Sequence, residues 1–218
     1  MTDDERMVPV FLKPSKDRRI VVFGGGKVAY RKCRQFKGFD ITVVAEDTVD
    51  EISDVADRVI LAEVVPEEVP EYLDGVFIVV AATNSKELND AIREEASKYG
   101  VLVNSAHGGG DVLLPSSVRK RNFTVAVSSE GAAAAFPPYV AEKIDSYLGP
   151  EYEDMLDLLS ELRKDLKSEI STQPKRAEYL AEVLDTEHIW ELLKAGDKDG
   201  AKAEASALMS KYQRRRFS

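Results

Sequence analysis

The stretch Ile20–Ala29, IVVFGGGKVA, decides the fold predicted for this chain. Four apolar residues with high β-propensity run into three glycines, and a helical pattern opens at Lys27. Gly24, Gly26 and Ala29 fit the pattern G-x-G-x-x-A. The first glycine permits a tight strand-to-helix turn, the second lets a pyrophosphate approach the backbone, and the small third residue lets the helix pack close to the sheet. The stretch predicts a dinucleotide-binding turn, with a cofactor-free glycine turn in an α/β fold as the alternative.

The residues that follow this turn select the cofactor. Glu46 comes 20 positions after Gly26, just past the apolar run Ile41–Val44. A carboxylate at that place can bind the hydroxyls of an adenosine ribose. Its acidic neighbours would repel a 2′-phosphate; they are Asp47, Asp50 and Glu51. We therefore expect NAD rather than NADP.

Composition limits the classes of function. The 218 residues, 44% of them hydrophobic, suit one domain of ordinary size plus a smaller appendage. A formal net charge of −9 argues against a nucleic-acid partner. One cysteine and two histidines are too few for a disulfide framework or a metal centre, so we predict no metal site and place Cys33 in the core. The chain shows neither a membrane-spanning run nor a signal-peptide pattern, and we expect a cytoplasmic protein.

Short apolar runs alternate with helical patterns through the first half of the chain, which predicts a Rossmann-like parallel sheet with right-handed crossovers. Val76–Ala82 is apolar throughout and is predicted to be a strand buried on both faces. Ligands of such sheets bind beyond the carboxyl ends of the strands, so Thr83 and Asn84 are candidate cofactor contacts. An N-cap for the next helix, provided by Asn84 or Ser85, is an equally good interpretation.

The pattern changes after Gly108–Gly110. Two further strands are predicted at Val112–Leu114 and Phe123–Ser128, and helical patterns with apolar stripes for core or dimer contacts follow. We therefore divide the chain into an α/β domain at 1–111, a short β-containing segment at 112–150 and a helical domain at 151–218.

The order of these motifs resembles the precorrin-2 dehydrogenase family, which comprises the NAD-binding module of siroheme synthase and its stand-alone relatives. The resemblance extends over nearly the whole chain. The segments that carry it are Val8–Leu12, Val22–Lys32, Ala81–Asn84, Val103–Asn104, Leu114–Ser116, Val125–Gly131 and Glu142–Ile144, followed by a helical tail.

The resemblance implies a homodimer that oxidises the tetrapyrrole precorrin-2 to sirohydrochlorin and passes a hydride to NAD⁺. Some relatives also insert ferrous iron into the product. In such a protein the segment 112–150 serves dimerisation and the substrate, and Ser129 is a candidate catalytic residue beside the tetrapyrrole. The nicotinamide reaches toward Thr83, Asn104 and His107. The dinucleotide contacts that the resemblance implies are Gly24, Gly25, Gly26, Lys27, Val28, Glu46 and Asp47.

His107 departs from the family pattern, because relatives have at that place an aspartate proposed to act as a general base or to assist metal insertion. A neutral histidine can accept a proton or hold a divalent metal, so His107 is a candidate for either task. The alternative is a loop histidine without a chemical role. Asp111 is the nearest substitute carboxylate, and for it a turn-stabilising role is the alternative.

The helix after Gly131 departs as well. Relatives often carry Ser-Pro and arginines there, whereas this chain has alanines such as Ala133 and Ala141. Arginine pairs bidentately with carboxylates and alanine cannot, so either Arg119–Arg121 binds the substrate or the ligand differs. Two alternatives to the dehydrogenase stay open: a non-catalytic NAD-binding sensor or partner of a tetrapyrrole enzyme, and an NAD-dependent oxidoreductase acting on another small substrate.

Overall fold

The structure is a computed structural model that describes residues 6–215. The described chain divides into two compact units. The first comprises residues 6–115 and 128–134, and the second comprises residues 116–127 and 135–215. Within the described range, no helix is both long enough and apolar enough to cross a membrane.

A five-stranded parallel sheet forms the centre of the first unit, with the strand order β3-β2-β1-β4-β5. The strands are β1 (Arg19–Phe23), β2 (Asp40–Ala45), β3 (Arg58–Leu61), β4 (Val76–Ala81) and β5 (Leu102–Ser105). Strand order reverses between β1 and β4, and folds of this kind bind ligands in the crevice beyond the carboxyl ends at that point. The predicted Rossmann-like sheet is confirmed.

Helices cover both faces of this sheet. They are α1 (Lys27–Gln35) with a 3₁₀ helix at Asp50–Asp54 on one face, and α2 (Lys86–Lys98) with a 3₁₀ helix at Pro66–Tyr72 on the other. Side chains of β1 alternate between the two cores, because Ile20 lies in the core that contains Cys33 of α1, whereas Val21 lies in the core that contains Ile92 of α2. The residues of β4 alternate in the same way, so the prediction of a strand buried on both faces is confirmed.

Cys33 lies in the core, as predicted. The thiol is fully buried, and desolvation raises its pKa to about 11. A thiol in that state stays protonated at neutral pH and is a poor nucleophile.

The second unit contains a β-hairpin and, within the described residues, five helices. Its elements are β6 (Ser116–Arg119), β7 (Thr124–Val127), α3 (Phe136–Tyr147), α4 (Pro150–Glu169), α5 (Gln173–Asp185), α6 (Glu187–Lys194) and α7 (Lys198–Arg215). α3 packs against the antiparallel pair β6-β7. The predicted apolar stripes of the helices meet in one core, which includes Leu158, Tyr179 and Ile189.

The strand predicted at Val112–Leu114 is wrong. The N–H of Val112 donates to the carbonyl of Val103, and the carbonyl of Val112 accepts from the side chain of Asn104. These bonds tie the segment irregularly to β5 instead of pairing it in a hairpin. The strand that pairs with β7 begins at Ser116.

Candidate functional site

A cleft of about 500 Å³ lies at the carboxyl ends of β1, β2 and β4. It is lined by the glycine turn after β1, by the loop that begins with Glu46 after β2, and by the loop that contains Thr83 after β4. The predicted cofactor contacts that the structure brings together here are Gly24, Gly25, Gly26, Glu46, Asp47, Thr83 and Asn84.

The three glycines of the turn have two different tasks. Gly24 has a φ of 112°, and a Cβ on it would lie 2.3 Å from the carbonyl oxygen of Ala82. A Cβ on Gly25 would lie 1.9 Å from the carbonyl oxygen of Asp47. Gly24 and Gly25 therefore let the turn pass close to the neighbouring loops. Gly26 is different, because a Cβ on it would meet nothing within 4 Å.

The helix α1 begins beside the open face of Gly26. Gly26 is the N-cap residue, no side chain caps the helix, and its first turn contains no acidic residue. The first N–H groups of the helix, which include those of Lys27 and Val28, lack partners within the helix, and the positive end of the helix dipole lies at the same place. Open space next to such donors fits the pyrophosphate of a dinucleotide.

The loop after β2 supplies negative charge to the cleft. Glu46 is exposed there, directly after the strand. Asp47 accepts a hydrogen bond from the N–H of Thr48 at 2.7 Å, so part of its task is to hold the loop. Two carboxylates at this place favour a ribose with free hydroxyls over one with a 2′-phosphate.

A buried amide holds the loop after β4, and sequence reasoning missed it. Asn89 of α2 is 1% exposed. Its side-chain oxygen accepts from the N–H of Thr83 at 3.1 Å and from the Thr83 hydroxyl at 2.9 Å. Its side-chain nitrogen donates to the Thr83 carbonyl at 3.0 Å and lies 2.9 Å from Nδ1 of His107. A polar residue in the apolar stripe of Ile92 and Ala96 was the signal that could have found it.

Ser85, rather than Asn84, caps α2. The hydroxyl of Ser85 accepts from the N–H of Leu88 at 3.1 Å. The side chain of Asn84 lines the cleft, is exposed, and has no hydrogen-bond partner among the described residues. It is therefore free to contact a cofactor.

Asn104, a predicted nicotinamide contact, does not line the cleft. Its side chain is 2% exposed, donates to the carbonyl of Val112 at 2.7 Å and accepts from the ammonium of Lys32. Burial and, to a smaller extent, the charge of Arg31 lower the pKa of Lys32. The pair joins α1 to β5, which is a structural task.

The three catalytic candidates also lie outside the cleft lining. The carboxylate of Asp111 accepts from the N–H of Val103 at 3.1 Å, which fits the turn-stabilising alternative. The hydroxyl of Ser129 donates to the carbonyl of Ala133 at 3.0 Å. His107 is exposed, and its ring is joined to the cleft by Asn89, which contacts both His107 and Thr83. No group of three or more acidic, histidine or cysteine side chains within residues 6–215 is arranged to hold a metal.

Two basic residues considered for the substrate carboxylates are engaged inside the second unit. The ammonium of Lys120 lies 2.7 Å from the carboxylate of Asp145. The guanidinium of Arg121 donates to Asp157 at 2.7 Å, and this bond is the main cause of the raised pKa of Arg121. A substrate carboxylate would have to compete with these acidic residues.

The sheet order, the glycine turn and the open helix start define a dinucleotide-binding protein. The family model NAD_binding_7, described as "Putative NAD(P)-binding", matches residues 10–116. The chain is 31% identical to the precorrin-2 dehydrogenase of Methanosarcina barkeri over 97% of both chains. It is also 31% identical to the precorrin-2 dehydrogenase of Bacillus subtilis over 72% of this chain and 99% of that one. The chain belongs to the precorrin-2 dehydrogenase family, and its cofactor is NAD, as the sequence predicted.

Two further relatives describe the extent of the match. The siroheme synthase of Chromobacterium violaceum is 28% identical over 90% of this chain but over only 42% of its own length, so the chain spans less than half of that protein. A solved structure titled "SirC, precorrin-2 dehydrogenase" aligns over 92% of this chain and 100% of its own with a TM-score of 0.69 and 24% identity. This likeness shows that the two proteins share a fold.

Proposed function

We propose that this chain is a dehydrogenase that oxidises precorrin-2 to sirohydrochlorin with NAD⁺ as the hydride acceptor. The observation that carries the proposal is the match to a precorrin-2 dehydrogenase over 97% of both chains. The cleft supports it, because the open face of Gly26 and the uncapped start of α1 fit a dinucleotide.

The residues of the cleft bind and orient the reactants. Gly26 and the first turn of α1 hold the pyrophosphate, and Glu46 binds the adenosine ribose. Thr83 and Asn84, on the other side of the glycine turn, lie beside the nicotinamide half. Bound NAD⁺ supplies the hydride acceptor, so the protein has to place a ring carbon of the substrate against it and let protons leave elsewhere on the macrocycle.

The test is an anaerobic reaction of the purified chain with precorrin-2 and NAD⁺. We expect one NADH for each sirohydrochlorin formed, and a slower reaction with NADP⁺. The control without NAD⁺ should leave precorrin-2 unchanged. If NAD⁺ binds but precorrin-2 is not oxidised, the proposal fails in favour of the NAD-binding sensor. Oxidation of a different substrate would favour an NAD-dependent oxidoreductase that acts on another small molecule.

We further propose a cytoplasmic homodimer in which 1–111 binds NAD, 112–150 serves dimerisation and the substrate, and 151–218 forms a helical domain. Two aromatic side chains near the start of α3 support a partner surface, since Phe136 is 56% and Tyr139 is 59% exposed. Light scattering should give the mass of two chains for the native protein. Phe136→Asp should lower that mass, whereas a native protein with the mass of one chain would exclude the dimer.

A further inference from the structure

We propose that Asn89 fixes the ring of His107 so that its free nitrogen, Nε2, carries a proton and donates a hydrogen bond to an oxygen of a bound ligand. Asn89 is in this view a positioning residue that acts through His107. The identity of the ligand, NAD⁺ or the tetrapyrrole, rests on the proposed function. The position of the proton on the His107 ring does not depend on the proposed function.

Backbone groups fix the orientation of the Asn89 amide, which is otherwise ambiguous in protein structures. The N–H of Thr83 can only donate, so the Asn89 atom 3.1 Å from it is the side-chain oxygen. The carbonyl of Thr83 can only accept, so the Asn89 atom 3.0 Å from it is the side-chain nitrogen. Rotating the amide by half a turn would place a donor against the N–H of Thr83 and an acceptor against the carbonyl of Thr83.

The amide in turn fixes the ring of His107. The side-chain nitrogen of Asn89 is only a donor, so Nδ1 of His107, 2.9 Å away, has to accept with its lone pair. A neutral imidazole has one N–H and one lone pair, and the proton therefore lies on Nε2. A proton on Nδ1 would point at the N–H of Asn89.

The free nitrogen of His107 is consequently a donor. The side chain is exposed, and Nε2 has no hydrogen-bond partner among the described residues. Taking a proton from the substrate or holding a metal ion at Nε2 requires a lone pair there, so the contact with Asn89 opposes both roles that the sequence suggested. An oxygen acceptor suits the N–H, and two sources offer one: the carboxamide of the nicotinamide and the carboxylates of the tetrapyrrole.

Nitrogen NMR of the labelled protein tests the ring directly. The chain has two histidines, and His188→Gln, a change at an exposed position of α6, leaves His107 as the only imidazole. With the ring neutral, we expect two well-separated signals, an unprotonated Nδ1 and a protonated Nε2. A protonated Nδ1, or two averaged signals from a ring that exchanges between both forms, would overturn the proposal.

Variants of Asn89 test the cause. Asn89→Asp keeps the size and the oxygen facing the Thr83 N–H but presents an acceptor to Nδ1, so we expect the proton to move to Nδ1. Asn89→Leu removes the contact, and we expect averaged signals. Because Asn89 is buried, either variant can fail to fold. In that case the nitrogen signals of His107 in the protein with native Asn89 still show which ring nitrogen carries the proton. Unchanged signals in a folded variant would show that Asn89 does not fix the ring.

Titrations identify the source of the oxygen. NAD⁺ alone and sirohydrochlorin alone are each added to the His188→Gln protein, and the ligand that shifts the Nε2 signal supplies the acceptor. If neither shifts it, the donor role is wrong even where the ring state is as inferred. A failure of the turnover assay with an intact ring signal would instead reject the proposed function alone.

Kinetics separate a donor from a base. His107→Gln retains an N–H donor but has no group that takes up a proton, and His107→Phe has neither. For a donor we expect His107→Phe to lose about tenfold to hundredfold in kcat/KM and His107→Gln to lose clearly less. The opposite result would be equal losses in the two variants, together with a pH profile of kcat/KM from which the histidine titration has disappeared in both. That result would favour a base and reject the donor.

Discussion

Replacing Gly26 by aspartate tests the pyrophosphate site without disturbing the fold. The backbone of Gly26 has φ −85° and ψ −177°, an extended conformation open to any residue, and a Cβ there meets nothing within 4 Å. Aspartate is also among the preferred N-cap residues and interacts favourably with the helix dipole. We therefore expect the free energy of unfolding to stay the same or to rise by up to about 1 kcal/mol.

The same carboxylate should prevent NAD⁺ from binding. At an effective dielectric constant of about 20, two like charges about 5 Å apart repel each other by about 3 kcal/mol. The side chain would also occupy the open space and pair with the N–H groups of α1 that a phosphate needs. Since about 1.4 kcal/mol corresponds to a factor of ten, the affinity for NAD⁺ should fall more than about 100-fold.

Calorimetric titration with NAD⁺ measures this loss, and thermal unfolding without NAD⁺ measures the fold. Gly26→Asn is the matched control, because it has the same shape and capping ability without the charge. Gly24→Ala, in contrast to Gly26→Asp, should destabilise the fold and lower the melting temperature. Its Cβ would lie 2.3 Å from the Ala82 carbonyl oxygen, at a φ of 112°. A folded Gly26→Asp protein that binds NAD⁺ as tightly as the native chain would refute the placement of the pyrophosphate.

Three further predictions concern other residues. Glu46→Ala should weaken NAD⁺ binding about tenfold to hundredfold, because a hydrogen bond to a charged group contributes about 1.5–3 kcal/mol. It should also reduce the ratio of the affinity for NAD⁺ to the affinity for NADP⁺. Titrations with both dinucleotides check this, and an unchanged preference would contradict the ribose contact. Glu130 has a φ of 51°, the only positive φ of a non-glycine residue within residues 6–215, and one of its carboxylate oxygens is buried without a partner. Glu130→Gly should therefore stabilise the protein by about 1 kcal/mol in denaturant unfolding, and a loss of stability would show that the side chain is needed. Tyr179 is buried and donates to the carbonyl of Ala205 at 2.7 Å, and burial raises its pKa from 10.0 to about 12. Because the folded-state pKa is raised, its contribution to stability is complete below about pH 10 and is lost as the pH rises toward about 12. Tyr179→Phe should flatten that alkaline loss in unfolding curves and should cost about 0.5–1.5 kcal/mol at neutral pH, since one hydrogen bond is lost.

The parts of the fold that could be predicted from the sequence are those set by neighbouring residues. Ile20–Phe23 and Val76–Ala81 carry their apolar pattern within a few positions, so each strand was predictable by itself. The glycine turn was predictable for the same reason, because the demand for small residues lies in the turn itself. The helical stripes after Glu151 follow a local period in the same way.

The missed features depend on residues far apart in the chain. Val112–Leu114 is as apolar as many strands, but its bonding partner is β5 rather than β7, and no local pattern encodes that choice. The contact between Lys32 and Asn104 joins residues 72 positions apart, so no local motif could predict it. Asn89 contacts Thr83 and His107 across 6 and 18 positions, and only its polarity in an apolar stripe hints at a role.

The two ends of the cleft therefore differ in what forms them, backbone at one end and side chains at the other, and mutations at each end should have different effects. The pyrophosphate end consists of backbone, since Gly24 and Gly25 make room and Gly26 stays open. Substitutions there change whether the cofactor binds at all. The end near Thr83 depends on side-chain contacts. The side-chain amide of Asn89 contacts Thr83 and His107, and the hydroxyl of Thr83 donates to the carbonyl of Ser85 at 3.0 Å. A substitution of Asn89 should therefore change whether Nε2 of His107 carries the proton, while the glycine turn keeps its shape. The neighbouring amide thus decides whether Nε2 of His107 donates or accepts a hydrogen bond.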